Sequence, residues 1–243
     1  MHALSGSQLL SVWERGEERD GIERALLLLC AAYPEQTREE LAGLSIGLRD
    51  AHLFELQQRM FPGALEGFAN CPKCEVGLEY PLPAENLWRS AMPSPEQPLL
   101  VAAEEFLLRL RLPNSLDLEA ARRCSELADA RRSVAHRCVL EATRDGEVVA
   151  AEQLPERVIV ELSARLAEAD PQAELLIDLT CPECGHTWEE VFDVGTYLWA
   201  DVRALAIQIL RDIHTLARAY GWREADVLAM SGVRRQLYLD MVD

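Results

Sequence analysis

Four of the seven cysteines in this 243-residue chain occur as two short pairs. Cys71 and Cys74 lie in Cys-Pro-Lys-Cys, the first knuckle, and Cys181 and Cys184 lie in Cys-Pro-Glu-Cys, the second knuckle. A Cys-x-x-Cys turn directs both sulfurs at one point, and two such turns supply the four soft ligands that tetrahedral zinc prefers. We therefore predict one structural Zn²⁺ held by all four cysteines.

The distance between the knuckles along the chain is unusual, because a compact zinc ribbon holds its knuckles roughly 15–20 residues apart. Here residues 75–180 separate them. A metal bound by both knuckles would close this long stretch into a loop. On the model of a covalent crosslink, closing it removes unfolded-state entropy on the order of 4–5 kcal/mol. The predicted role of the metal is therefore architectural.

Two other kinds of cysteine site are alternatives to a structural zinc. A redox site places its first cysteine at a helix N-terminus, where the thiol pKa falls, but the residues 185–188 that follow Cys184 indicate a turn and then a strand. A catalytic zinc needs an open coordination position, and four thiolates leave none. His186 is an alternative ligand in place of one cysteine, although a histidine so close to a knuckle often lies beside the metal without binding it. Whether His186 contributes stays open.

The remaining sequence offers no catalytic group. Cys30, Cys124 and Cys138 have no ligand-type residue at metal spacing and are expected to be small buried hydrophobic residues. The chain has no glycine-rich phosphate loop, no Gly-x-Ser-x-Gly nucleophile elbow and no His-Glu-x-x-His helix. We expect a protein that is not an enzyme and has no small-molecule substrate.

The charge balance bears on partners and location. With 24 Lys and Arg against 41 Asp and Glu, the net charge of -17 argues against nucleic acid and anionic membranes and favours a protein partner with a basic face. Residues 1–6 lack the basic and apolar regions of a secretory signal, and the apolar run at 25–33 is too short to cross a bilayer. An odd number of cysteines also speaks against a disulfide framework. We expect a cytoplasmic protein.

The pattern of apolar residues predicts an α+β fold that is mostly helical. Residues 1–62 read as helical, with helices at 21–32 and 46–61; in the second, Leu53, Leu56 and Met60 face inward and Arg49 faces away. Short strands are predicted at 75–82, 175–180 and 187–192, beside the knuckles. Elsewhere we predict a loop at 91–98, a strand at 106–112, helices at 116–128, 130–143 and 155–169, a long helix at 195–220 ended by Gly221, and short helices at 223–229 and 233–241.

These elements suggest four regions. They are an N-terminal helical region at 1–70, a split zinc ribbon at 71–84 and 173–193, an α/β insertion at 85–172 between the halves of the ribbon, and a C-terminal long helix with a helical tail at 194–243. The long helix carries one continuous apolar face.

Three segments together resemble a known family. They are residues 47–53 leading to the first knuckle, the second knuckle with Gly185, His186 and Trp188, and the tail at 219–228 followed by 234–239. This combination resembles the baseplate protein family of contractile-tailed phages, whose T-even members are described as baseplate hub assembly chaperones. Relatives occur in gene clusters of phage-derived contractile injection systems. The resemblance runs from about residue 20 to the end and is weakest around 85–170.

The resemblance implies a non-catalytic role in assembling, or forming part of, a tail-tube or baseplate hub complex, with hub, tube or spike proteins as partners. The protein would then be cytoplasmic or incorporated into the particle. Trp222, Arg234, Arg235 and Tyr238 are the candidate partner surface, because Trp, Tyr and Arg are enriched at interfaces. The alternative is that Trp222 packs the tail onto the long helix and the arginines point to water. A different function, a zinc-ribbon adaptor in an unrelated cellular complex such as one with transcription machinery, stays open at this point.

Overall fold

A computed structural model describes residues 1–63, 65–82 and 98–242 of the chain. Helices and antiparallel sheets both contribute, which confirms the α+β class. The helices are α1 Gly6–Gly16, α2 Gly21–Ala32, α3 Arg38–Gly43, α4 Ile46–Met60, α5 Ser115–Ala121, α6 Leu127–Cys138, α7 Glu156–Ala169, α8 Val194–Tyr220, α9 Glu224–Leu228 and α10 Gly232–Leu239, with a 3₁₀ turn at Ala151–Gln153. The strands are β1 Leu65–Asn70, β2 Gly77–Leu82, β3 Leu99–Ala103, β4 Phe106–Leu110, β5 Val139–Arg144, β6 Glu147–Val148, β7 Leu175–Thr180 and β8 Thr187–Phe192.

Capping residues set where several helices begin and end. The Asp20 carboxylate accepts from the first free N–H groups of α2, and Asn114 does the same for α5. Asp193 caps α8 directly after β8 ends. Gly221 ends α8 in the left-handed conformation, at φ 69°, as its place after the last apolar residue predicts.

A helical body is built around α8. Its buried side chains pack against α1, α2 and α4 in a single apolar core, and they include Leu198, Val202, Ile209 and Leu216. Each such side chain contributes roughly 1.5–3 kcal/mol when it leaves water. The inward stripe predicted for α4 is present, since Leu53 and Leu56 are fully buried. Among the described residues, no helix combines the length and the apolar character that crossing a membrane requires.

The insertion has a core of its own. Strands β3, β4, β5 and β6 form an antiparallel sheet in that order, and α6 and α7 cover one face of it. Buried residues alternate along β4, where Phe106, Leu108 and Leu110 point toward the helices. Val158 and Leu162 on α7 complete this second core.

Two hairpins of the same design connect the body to the insertion. Strand β1 pairs with β2 from Leu65–Leu82 to Asn70–Gly77, and β7 pairs with β8 from Leu175–Phe192 to Thr180–Thr187. Each hairpin therefore has six antiparallel residue pairs and a six-residue connecting loop. The predicted strands at 75–82, 175–180 and 187–192 are confirmed within two residues.

Several predicted elements were wrong. The helix predicted at 130–143 ends at Cys138, because residues 139–144 pair with β4 as strand β5, and β-branched Val139 and Thr143 favour this. The helix predicted at 116–128 ends at Ala121, after which residues 122–126 carry no apolar stripe. Strands β1 and β3 were not predicted, and the loop predicted at 91–98 lies outside the described residues except at Pro98.

The side chain of Arg49 was predicted to face solvent, and it is buried. Its Nε donates to Asp50 Oδ1 at 2.7 Å, and its guanidinium reaches the hydroxyl of Ser115 on α5 at 3.5 Å. The helical period alone placed Arg49 on the outer face of α4. The insertion covers that face at its N-terminal end, which the sequence pattern of α4 does not reveal.

A buried ion pair holds the first turn of α5 in the insertion. The carboxylate of Asp117 is inaccessible to solvent and accepts from Arg111 and from Arg137 at 2.8 Å. The N–H of Asn114 donates to it as well, at 3.0 Å. Burial opposes ionisation of Asp117, but these donors outweigh it and lower the pKa of the carboxyl group.

We expect Asp117→Asn to lower the free energy of unfolding at pH 7 by about 2 kcal/mol, less than for a fully buried pair because both arginines are partly exposed. A lowered carboxyl pKa stabilises the fold above the unfolded-state value of about 3.9 and loses this effect as pH falls through the folded-state pKa. The difference between wild type and variant should therefore shrink below about pH 4. Urea unfolding at several pH values measures it, with Asp129→Asn as the exposed control; a difference independent of pH would contradict the assignment.

Candidate metal centre

The four paired cysteines lie in the loops of the two hairpins. Cys71 follows the last residue of β1, and Cys181 follows the last residue of β7. The first hairpin follows α4 in the chain, and the second leads directly into α8 through Asp193. Since α4 and α8 pack against each other in the body, they bring the two loops together although the insertion separates them in sequence.

The two knuckles have the same backbone hydrogen bonds. The N–H of Cys71 donates to the carbonyl of Val76 at 2.9 Å, and the N–H of Glu75 donates to the carbonyl of Cys71 at 2.8 Å. In the second knuckle the N–H of Cys181 donates to the carbonyl of His186 at 2.8 Å. The N–H of Gly185 donates to the carbonyl of Cys181 at 3.0 Å. Each turn is therefore closed independently and presents its sulfurs on one side.

The residue after each knuckle adopts a left-handed conformation. This residue is Glu75 in the first turn, at φ 62°, and Gly185 in the second, at φ 66°. Glycine adopts this conformation freely, whereas other residues pay a steric cost of roughly 1–2 kcal/mol. The first turn therefore carries strain that the second turn avoids.

The four sulfurs meet at one point. The Sγ atoms of Cys71 and Cys184 are 3.7 Å apart, those of Cys74 and Cys181 are 3.6 Å apart, and all four lie within 4.8 Å of one another. A tetrahedral ion with metal–sulfur bonds of 2.3 Å needs sulfurs about 3.8 Å apart. None of the four forms a disulfide, since the sulfurs lie far farther apart than the two atoms of a disulfide bond. The predicted convergence across the insertion is confirmed, and the cluster can hold a metal ion.

The surroundings shift the pKa values of Cys71 and Cys74 in opposite directions. Desolvation opposes ionisation of Cys71, but the N–H groups of Cys74 and Lys73 outweigh it and lower the pKa of Cys71 to about 7. The N–H of Val76 favours the thiolate of Cys74, but desolvation and the three neighbouring thiols raise the pKa of Cys74 to about 12. A bound cation favours ionisation of every thiol that coordinates it. A cation at this point would therefore favour the thiolate form of Cys74, which the neighbouring thiols oppose.

The alternative cysteine chemistries find little support in this geometry. Both knuckles lie wholly within the described residues, and each one follows a strand and precedes another strand, so neither starts a helix that would acidify its first cysteine. The His186 ring lies over Trp188, with ring centroids 6.1 Å apart, and His186 is not part of the four-residue cluster. Buried Cys138 and half-buried Cys30 and Cys124 also lie outside it.

Apolar contacts anchor the hairpins to the body beneath the cluster. Leu65 and Leu82 at the base of the first hairpin and Phe192 at the base of the second belong to the main core. Tyr197 on the first turn of α8 packs on Phe192, with ring centroids 5.6 Å apart. The hairpin bases are thus fixed by burial, and the knuckles at the other ends are fixed by their sulfurs.

A second contact between the insertion and the body was not predicted. The N–H of Gly47 in the first turn of α4 donates to Asp170 Oδ2 at 2.9 Å, at the end of α7. A Cβ atom at position 47 would overlap this carboxylate. Burial raises the pKa of Asp170, despite the hydrogen bonds from Gly47 and Ser45. Residues 47–53, which carry part of the family resemblance, therefore lie where the end of the insertion contacts the body. The signal for this contact in the sequence is a glycine at the second position of a helix.

The candidate partner residues form an aromatic cluster at the far end of α8. Trp222 stacks on Tyr220 with centroids 4.6 Å apart and meets Tyr238 edge-on at 4.8 Å. The guanidinium of Arg234 lies 5.6 Å from the Tyr238 ring centroid. Arg235 does not share this surface, since its Nε pairs with the buried carboxylate of Asp212 at 3.0 Å.

Comparison with known proteins gives one family. A family model described as T4 bacteriophage base plate protein matches residues 14–198, a stretch that includes both knuckles and the whole insertion. No curated protein and no solved structure matches the chain. The match supports a baseplate role of a structural or assembly kind.

We expect Cys181→Ser to abolish stoichiometric metal binding and to lower the melting temperature by about 10 °C, because the two knuckles share one site and the insertion loses its closure. Elemental analysis of the purified protein and thermal unfolding measure both effects. Cys30→Ser is the matched control, since Cys30 lies outside the cluster. Full metal content with unchanged melting in Cys181→Ser would exclude a shared site.

Glu75 and Gly185 have the same left-handed backbone conformation, so substitutions at these two positions test whether the two turns are equivalent. Glu75→Gly should raise the free energy of unfolding by about 1 kcal/mol, because it relieves the steric cost at φ 62°. Gly185→Ala should lower it by about the same amount. Urea unfolding of both variants with metal bound measures the effects, and changes of the same sign in the two variants would contradict the equivalence of the turns.

Proposed function

The chain belongs to the T4 bacteriophage base plate protein family, and from this membership we propose that it is a non-catalytic assembly factor or structural component of a contractile baseplate. The baseplate would be that of a phage tail or of a phage-derived contractile injection system. The family match, which spans both knuckles and the insertion between them, is the observation that carries this proposal. It also favours the baseplate role over a zinc-ribbon adaptor in an unrelated complex.

The metal proposed for the cluster is Zn²⁺ in a structural role. Four thiolates are the ligand set that zinc prefers, and the spacing of the sulfurs fits its tetrahedral geometry. Cys71 and Cys74 would hold it from one hairpin, and Cys181 and Cys184 from the other. Four protein ligands leave no coordination position for a water or a substrate. The ion would therefore link the two hairpins and supply no catalysis.

The two separate cores support the division of the chain proposed from its sequence. In that division residues 1–70 and 194–243 form helical regions, residues 71–84 and 173–193 form the ribbon, and residues 85–172 form the insertion. One apolar core joins α1, α2, α4 and α8, and the other lies between the sheet and helices of the insertion. The hairpin strand β1 starts at Leu65, so the ribbon begins a few residues earlier than its knuckle.

The proposed partners are hub, tube or spike proteins of the baseplate. We propose no contact with nucleic acid or membrane. A net charge of -17 favours partners with basic surfaces and speeds their encounter. The proposed contact surface is the aromatic cluster, with Trp222 and Tyr238 as anchors and Arg234 as the cation beside them. Arg235 would support this surface indirectly, because its ion pair with Asp212 holds α10 against α8.

Co-expression with the products of the neighbouring genes tests this function. We expect baseplate hub, tube or spike proteins to co-purify with the wild-type chain in fixed ratio. Trp222→Ala should reduce their recovery by about tenfold or more, the loss typical of an interface anchor.

Trp188→Ala is the matched control, because Trp188 is also half-buried and lies on the second hairpin. Both variants must keep their metal, which shows that they are folded. Equal recovery with the two variants would reject the aromatic cluster as the contact. Absence of every baseplate protein from the wild-type preparation would reject the baseplate role.

A further inference from the structure

An apolar groove opens between the insertion and the second hairpin. It encloses about 760 Å³, and its walls come from α5, α6 and α7 on one side and from residues 171–174 and Val191 of β8 on the other. Leu127 and Val191 stand on its rim and are 73% and 58% exposed. Large apolar side chains gathered around an open concave surface are typical of a site that another molecule covers.

A second apolar surface lies on α10. Val233 and Leu237 are four residues apart, and Met241 continues the row in the turn that follows the helix. The three side chains are 76%, 55% and 65% exposed. Residues at this spacing lie on one face of a helix, so they form a single stripe. The opposite face of α10 is already packed, since Leu239 contacts the core and Arg235 pairs with Asp212 on α8.

The charges beside the two surfaces are complementary. Arg131 on α6 and Glu174 on the facing wall lie on the groove, and both are exposed. Arg234 and Asp240 flank the α10 stripe on its two sides, as the 100° step of a helix places them. Within residues 1–63, 65–82 and 98–242, none of these four groups makes an ion pair. The groove and the stripe therefore each carry one cation and one anion beside their apolar side chains, so a helix lying in the groove can place Asp240 toward Arg131.

We propose that the groove binds α10 of a second copy of this chain, so that copies associate head to tail. The groove and the stripe are different surfaces of one chain, so a bound pair of copies leaves one groove and one stripe free. Such a contact forms a closed ring if its rotation closes and an open chain if it does not. The proposal concerns self-association and does not rest on the baseplate role.

Variants that each damage one surface test the head-to-tail contact. Native mass spectrometry and light scattering of the wild-type chain should show oligomers that grow with concentration up to about 100 μM. Leu127→Asp and Leu237→Asp should each weaken self-association by about tenfold or more. Mixed in equal amounts, the two variants should form a 1:1 dimer, because one intact groove and one intact stripe remain between them.

Leu100→Asp is the matched control, since Leu100 is equally exposed but lies on β3, outside the groove, and should leave association unchanged. Arg131→Glu should also weaken association, and adding Asp240→Arg to the same chain should restore it. A wild-type chain that stays monomeric at about 100 μM would overturn the proposal. So would a mixture of Leu127→Asp and Leu237→Asp that gives no dimer, because a symmetric contact is not rescued by mixing.

Discussion

The meeting of four cysteine sulfurs at one point is the constraint on which the architecture depends. These sulfurs lie within 4.8 Å, and the same neighbours that surround Cys74 raise its pKa to about 12. A divalent cation bound there would favour the thiolate form of each sulfur that coordinates it, and its binding free energy would become folding free energy. Because the ligands come from both ends of the insertion, one ion would couple the hairpins to each other and close the chain around the insertion.

The insertion is attached at more than its two hairpins. At the start of α4, the N–H of Gly47 donates to the carboxylate of Asp170. The buried guanidinium of Arg49 donates to the hydroxyl of Ser115 on α5. These polar contacts are buried, so leaving either partner unpaired is costly. The contact with Asp170 explains why position 47 is a glycine. The contact with Ser115 explains why Arg49 is buried, although the helical period of α4 places it on the solvent side.

The cysteine spacing and the helical periods were enough to predict the class of fold, the convergence of the knuckles, α2, α4, α7 and α8, and the strands β7 and β8. Local signals carried these predictions, since caps, apolar stripes and Cys-x-x-Cys turns depend on near neighbours. Strand β5 was missed because its pairing partner β4 lies about thirty residues earlier; long-range pairing overrides local preference. The burial of Arg49 likewise depends on α5, and the ion pair of Arg235 depends on Asp212 of α8. Both partners are distant in sequence.

Helix α8 connects the second hairpin to the aromatic cluster. Its first residue follows the cap that ends the second hairpin, and its last residue is Tyr220 in the aromatic cluster. At 1.5 Å per residue, this helix of 27 residues is a rod about 40 Å long. Because α8 is buried in the main core from Leu198 to Leu216, it can move only together with the body, and it holds the base of the second hairpin and the aromatic cluster at a fixed separation.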